Sequence, residues 1–145
     1  MSRRLKESSA AVPFGACVKL NPDNSVELVG AGFTAAAFGG IAVREVKNAT
    51  NFLAQNEVAY QPGQVLDALT RGACTVKCNV GTPTAGGAVY VRIAANSGVA
   101  NGVIGGLEAQ ADGSNTVALP NVKWTTGAMD AERICEVTIL TRVNP

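Results

Sequence analysis

The 145-residue chain contains no histidine, and this absence narrows the chemistry that it can perform. Histidine is the most frequent general base in enzymes and the most frequent metal ligand, and its ordinary pKa lies near neutral pH. An enzyme would therefore have to assemble its site from carboxylates or thiols, and no such constellation stands out in the sequence. We expect no catalytic residue, no cofactor and no metal site, and so not an enzyme.

Charged and aromatic residues are also scarce. Charged residues make up 16% of the chain, and 12 Lys and Arg against 11 Asp and Glu leave a net charge of +1. That balance gives no electrostatic basis for binding nucleic acid. Tyr60, Tyr90 and Trp124 are too scattered to form a base-stacking surface. We expect no nucleic-acid partner, and a surface with little charge is often one that a protein partner covers.

Long apolar runs are missing as well. The start, "MSRRLKESSA", has basic residues without the apolar run of a secretory signal. No stretch approaches the roughly 20 apolar residues of a membrane span. We expect no membrane partner, and a cytoplasm in which the four cysteines stay reduced. Cys74 and Cys78 would lie about 13 Å apart on a strand, too far for a disulfide, so the cysteines are interpreted as small buried apolar residues.

What the sequence does contain is a series of short segments rich in β-branched residues and separated by turn residues, which predicts a mostly β single domain, a barrel or a sandwich. "NPDN" (21–24) predicts a hairpin turn between the first two strong strands. One segment, 49–60, is a candidate for a short helix or an ordered loop. The predicted strands are 16–20, 25–29, 40–46, 64–69, 73–80, 87–93, 115–119 and 135–143.

Side-chain alternation is clearest in "AVYVRI" (88–93). Val89 and Val91 face one side of the predicted strand, and Tyr90 and Arg92 face the other. Such alternation is typical of a half-buried strand, so we expect Arg92 to point away from the core and to tolerate replacement by alanine.

Two glycine-rich stretches resemble nucleotide-binding loops. In "VELVGAGFTAAAFGG" (26–40), Gly30, Gly32 and Ala35 have the G-x-G-x-x-G/A spacing, but two further glycines would stop a helix too early to bind a pyrophosphate. "GTPTAGGAV" (81–89) lacks the lysine of a phosphate-binding loop. We interpret the first stretch as a loop between strands and the second as a hairpin.

Five stretches, taken in order, resemble a known family. They are "VPFGACVKL" (12–20), "FGGIAVREV" (38–46), "YQPGQVLDALTRGACTVKC" (60–78), "PTAGGAVYVRI" (83–93) and "LPNVKWTT" (119–126). Each motif alone is weak, but the ordered set resembles the structural cement, or decoration, proteins of tailed-phage capsids.

The resemblance implies a small β-barrel or jelly-roll-like domain, residues 13–145, with an extended N-terminal arm, residues 1–12. It implies a structural virion protein that binds the outside of a capsid, after assembly in the host cytoplasm, and cements neighbouring subunits. The implied partners are the major capsid protein and the protein itself, as a homodimer or other small oligomer. Residues 96–115 fit the family pattern poorly and suggest an elaborated loop. The alternative is a β-barrel module that binds nucleic acid or carbohydrate, although no suitable aromatic groove is evident.

The N-terminal arm is the segment that we expect to attach to a capsid. Its first residues show no strand pattern, and Arg3, Arg4 and Lys6 surround Leu5. The basic residues would pair with acidic groups of a neighbouring subunit, and Leu5 would enter an apolar notch there. On this view, removal of residues 2–11 would leave the stability of the free domain nearly unchanged.

Overall fold

Strands make up nearly all of the regular structure in the computed structural model, which describes residues 1–44 and 58–141. The prediction of a mostly β protein is confirmed. The helical structure of the described part is limited to two 3-10 turns, Ala35–Ala37 and Gly113–Asn115. Most of the helix candidate 49–60 lies outside the described residues. The strands are Ser2–Arg4 (β1), Val12–Pro13 (β2), Cys17–Leu20 (β3), Val26–Leu28 (β4), Phe38–Ala42 (β5), Ala59–Tyr60 (β6), Val65–Leu69 (β7), Gly72–Lys77 (β8), Ala88–Arg92 (β9), Leu107–Glu108 (β10), Thr116–Trp124 (β11) and Ile134–Ile139 (β12).

These strands form three antiparallel sheets. The first has the order β1-β7-β5-β3-β4, the second β10-β9-β11-β12-β8, and the third is the pair β2-β6. One parallel bridge between Leu5 and Val26 joins the two ends of the first sheet, and another between Cys78 and Leu107 joins the ends of the second. The expected barrel or jelly roll is not confirmed, since no closed barrel is found among the described strands.

The predicted hairpin at residues 21–24 is confirmed. β3 and β4 pair antiparallel, and Val18 lies opposite Leu28. Asn24 has a positive φ of 67°, a conformation that asparagine tolerates better than most residues. The turn is closed by the Asn21 N–H, which donates to the Ser25 carbonyl at 2.9 Å.

Two apolar clusters stabilise the sheets. The larger includes Trp124, Ile41 and Val137, and it joins side chains of the first sheet to those of the second. The smaller includes Leu66 and Tyr60, so the pair β2-β6 contributes to it together with the first sheet. The two clusters thus cover the two faces of the first sheet at its middle strand, which is why all five residues of β5 are buried.

Gly40, in the middle of β5, shows why that strand contains adjacent glycines. Its φ is +131°, and a Cβ there would lie 2.7 Å from the carbonyl oxygen of Leu69. Strand β7 can approach β5 this closely only because residue 40 has no side chain. Gly30 and Gly32 thus belong to the loop between β4 and β5, in agreement with the prediction, and Gly39 and Gly40 belong to β5 itself.

Candidate functional site

The N-terminal residues were expected to attach to a partner, and the structure incorporates them in the domain. β1 pairs with β7, with Arg3 opposite Leu66. Leu5 is completely buried, and its N–H donates to the Gln64 carbonyl at 2.8 Å. Val12 is also fully buried. The prediction that residues 1–12 form an arm outside the core is therefore wrong.

Side-chain direction explains why sequence reasoning missed this strand. Arg3 is half-buried and Leu5 buried, whereas Ser2, Arg4 and Lys6 are exposed. The segment therefore does alternate, but one of its inward positions carries an arginine and the apolar pattern is hidden. A long arginine stem can cover apolar surface while its charged end reaches out.

Of the four predicted contact residues, the three basic ones remain available to a partner to different degrees. Arg4 is exposed and forms an ion pair with exposed Glu7, and Lys6 is exposed. Arg3 has a buried Nε that makes no hydrogen bond in the described chain. Leu5, with no accessible surface, cannot enter a notch on another molecule without leaving its own core.

Arg92 departs most from its sequence-based expectation. Its side chain has no exposed surface and forms a two-point ion pair with Glu108, which is equally buried, with Nε–Oε1 at 2.6 Å and Nη2–Oε2 at 3.0 Å. Its Nη1 donates to Asp112 Oδ2 at 2.8 Å and to the Ala94 carbonyl at 3.2 Å. The prediction that Arg92 faces away from buried structure is wrong, because residues 94–115 fold over that face of β9.

Residues 94–115, which cover this face of β9, are held in place by hydrogen bonds to the charged side chains of Arg92 and Asp112. Asn96 Nδ2 donates to both carboxylate oxygens of Asp112, at 3.2 and 3.0 Å. These bonds, followed by the hydrogen bond from Arg92, hold the pKa of Asp112 below its ordinary value. Gly102 lies against the Arg92 guanidinium so closely that a Cβ would collide with Nε. The stretch 96–115, which fits the family pattern poorly, is therefore a packed part of the domain.

A groove of about 560 Å³ opens on another part of the surface. Four consecutive residues of β8, Cys74–Lys77, line it together with Ile41–Arg44 at the end of β5. Three of its apolar lining residues are unusually exposed, Val103 at 50%, Ile134 at 38% and Ile104 at 37%. Among the described residues, its lining contains two cations, Arg44 and Lys77, and no acid. The groove is thus apolar with a positive rim.

Two of the three aromatic residues considered for base stacking are enclosed in the core. Trp124 is completely buried and Tyr60 is 4% exposed, and the Tyr60 hydroxyl donates to the Val43 carbonyl at 2.7 Å. Rings that are enclosed in the core cannot stack on bases or sugars. Phe14 is the one aromatic residue of the described chain that lines the groove.

The four cysteines are free thiols. Cys17, Cys78 and Cys135 are buried and Cys74 is half-buried, as expected of small apolar residues. Burial raises the pKa of Cys135 to about 11 and that of Cys17 further, so neither forms a thiolate ligand readily. Within residues 1–44 and 58–141 no group of three or more potential metal ligands comes together.

Comparison with known proteins identifies the family. The model of the family "Structural cement protein (E217 gp24/Pam3 gp6)" matches residues 1–140. The chain therefore belongs to the structural cement proteins of phage, a family whose role is structural. No curated protein sequence matches the chain.

A solved structure supports the same fold. A chain from the capsid of Myoviridae phage XM1 superimposes with a TM-score of 0.71 and 16% sequence identity. The match covers 99% of this chain and 83% of that chain. Among the described residues no helix is long and apolar enough to cross a membrane.

Proposed function

We propose that the protein binds the outer surface of an assembled phage capsid and cements neighbouring major capsid subunits. The observation that carries the proposal is the family match, which extends over residues 1–140. A protein that binds the assembled shell but not its separated subunits stabilises the shell by mass action. Many copies on one lattice add their contributions, so each single contact can be weak.

In this proposal the protein acts without catalysis, nucleic acid, membrane or cofactor. It exists in the host cytoplasm during assembly and then becomes part of the virion exterior. We further propose that it binds as a homodimer or other small oligomer, on a compact β-domain of the barrel or jelly-roll kind. The low content of charged residues, 16%, supports a surface that a protein partner covers.

The exposed side of β1 is the proposed electrostatic part of the capsid contact. Arg4 lies on this side and exposed Lys6 follows two residues later, whereas Arg3 is half-buried on the opposite side. The contact would thus be made by a fixed strand edge, which loses less conformational entropy on binding than a free arm does. The acidic groups would come from the capsid subunit.

Co-sedimentation tests the proposed function. Purified protein is mixed with shells of its phage that lack it, and bound protein is measured after centrifugation. We expect saturable binding at a fixed ratio to capsid subunits, and no binding to the dissociated subunits. Protein that remains in the supernatant at all concentrations would contradict the proposal.

The same assay tests the basic residues. Because Arg4 and Lys6 are exposed, replacing both with alanine should leave the melting temperature nearly unchanged and weaken binding about tenfold, which corresponds to about 1.4 kcal/mol per site. The control is Arg71→Ala, which removes an exposed cation from the turn between β7 and β8. Higher salt should reduce the difference between the variants, because salt screens exposed charges.

A further inference from the structure

Strand β8 lies at one end of the second sheet, and its other edge is bridged only just beyond its last residue, where Cys78 meets Leu107. Its neighbour is β12, and the two run antiparallel from Ile134 opposite Lys77 to Ile139 opposite Gly72. β8 is six residues long, which is enough to pair with an additional strand. An edge of this kind exposes backbone groups that natural proteins usually cover or pair.

A hydrogen bond at one end of the β8–β12 ladder shows which backbone groups of β8 face away from β12. The Cys78 N–H donates to the Arg133 carbonyl at 2.9 Å, so residue 78 directs its backbone toward the β12 side. Because this direction alternates along an antiparallel strand, residues 76, 74 and 72 do the same. Ala73, Thr75 and Lys77 must then direct their N–H and C=O groups away from β12.

A hydrogen bond on the other side of β12, toward β11, supports this assignment. Glu136 lies opposite Thr75, yet its carbonyl accepts from the Thr125 N–H of the segment after β11, at 2.9 Å. Glu136 and Thr75 are therefore a pair that does not share hydrogen bonds. The bridge between Cys78 and Leu107 occupies the outward side at the Lys77 end of the strand, whereas no second described strand lies beside Ala73 and Thr75.

The free edge borders the apolar groove. Cys74–Lys77 line it, and Val103 and Ile134 add exposed apolar surface. The exposed cations Arg44 and Lys77 line it too, and neither forms an ion pair within the described chain. Backbone hydrogen-bonding groups, apolar surface and positive charge are thus placed side by side.

We propose that an extended segment of a capsid subunit adds to β8 as a further strand and places apolar side chains in the groove. This rests on the proposed capsid-binding function. The backbone of the segment would bond to Ala73 and Thr75, as in other complexes formed by strand addition. Its alternate residues would be apolar and face the groove, and at least one carboxylate would meet Lys77 or Arg44.

Charge favours a capsid segment over a second copy of this chain as the occupant. Two copies paired through β8 would bring together the cations of both grooves, and none of the lining residues that the structure describes is an acid that could compensate them. Like charges placed together destabilise an interface. An acidic segment removes that cost and leaves no cation of the groove unpaired.

Thr75→Pro tests strand addition directly. Proline removes the outward N–H of residue 75 and leaves the ladder to β12 intact, since that N–H points away from β12. Thr75→Ala is the matched control, because it removes the same hydroxyl and keeps the N–H. In the co-sedimentation assay we expect Thr75→Pro to bind shells at least tenfold more weakly than Thr75→Ala, with melting temperatures within a few degrees of each other.

A second measurement uses the unmodified protein, so it does not depend on the folding of a variant. Cys74 is half-buried and lines the groove, whereas the other three thiols are buried. Its rate of alkylation by N-ethylmaleimide, measured by peptide mass spectrometry, should fall at least fivefold when the protein is bound to shells. A rate unchanged by binding would overturn the proposal.

The remaining outcomes are distinguishable. If the wild-type protein does not bind shells, the proposed function itself fails. If it binds and Thr75→Pro binds as well as Thr75→Ala, strand addition at β8 is wrong although the cement function stands. If the wild-type protein sediments as a dimer that Thr75→Pro dissociates, the edge belongs to a second copy and the capsid segment is excluded.

Discussion

Arg92 shows, at the level of a single residue, that side-chain alternation determines the face of a strand on which a residue lies but not whether that face is buried. The pattern in residues 88–93 correctly places Val89 and Val91 in the core, and both are fully buried. It also places Arg92 on the opposite face of β9, which is correct as geometry. Burial of that face depends on Glu108 and Asp112, 16 and 20 residues further along the chain. The alternation within a strand contains no information about whether a distant segment of the chain covers that strand.

Replacing Arg92 with alanine should destabilise the protein by about 3–5 kcal/mol, because the change leaves the buried carboxylate of Glu108 without a partner. Val91→Ala should cost less, about 1–3 kcal/mol. Arg71→Ala, at an exposed turn, is the control and should cost under about 0.5 kcal/mol. Urea unfolding monitored by circular dichroism measures all three, and an Arg92→Ala cost below that of Val91→Ala would contradict the assignment.

Asp112 makes a pH-dependent contribution to stability. Hydrogen bonds from Asn96 and Arg92 lower its pKa in the folded protein, so the charged form contributes stability above the ordinary pKa of about 3.9. That contribution is lost as pH falls through the lower, folded-state pKa. The difference in melting temperature between the wild type and Asp112→Asn should therefore be largest near pH 7 and shrink below about pH 4.

The control for Asp112 is Glu132→Gln, at an exposed turn. Its melting temperature should follow that of the wild type over the same pH range. An Asp112→Asn difference that grows on acidification would contradict the assigned direction of the pKa shift.

At the level of elements, the sequence identifies most strands but not their partners. Predicted strands overlap β3, β4, β5, β7, β8, β9, β11 and β12. The expected hairpin at 81–89 is wrong, because β8 pairs with β12 while β9 lies between β10 and β11. Turn residues signal that the chain changes direction, whereas the choice of neighbour depends on packing between distant segments.

The first strand gives the clearest prediction at this level. Leu5→Ala should destabilise the free protein by about 2–5 kcal/mol, since Leu5 is fully buried. Arg4→Ala, one residue earlier and exposed, should cost under about 0.5 kcal/mol. Deletion of residues 2–11 should destabilise at least as much as Leu5→Ala. Differential scanning calorimetry measures these effects. A deletion variant that melts like the wild type would support the original prediction of an arm outside the core.

At the level of the whole molecule, the order of the motifs in the sequence identifies the family. The structure adds surfaces that no sequence motif predicts. The ordered stretches between residues 12 and 126 resemble the cement family, and the family match over 1–140 confirms that membership. The groove beside β8 combines residues from five separate parts of the chain, such as Phe14, Arg44 and Ile134. Such a surface exists only after folding, so sequence spacing cannot reveal it.

The stability of the shell tests the central claim most directly. Undecorated shells are heated in a calorimeter with increasing amounts of the protein, and the midpoint of shell disruption is recorded. A cement that binds the intact shell alone should raise this midpoint progressively until its sites are saturated. Thr75→Pro should require at least tenfold more protein for the same rise. A midpoint that does not change when the shells are visibly saturated with protein would contradict the cementing role.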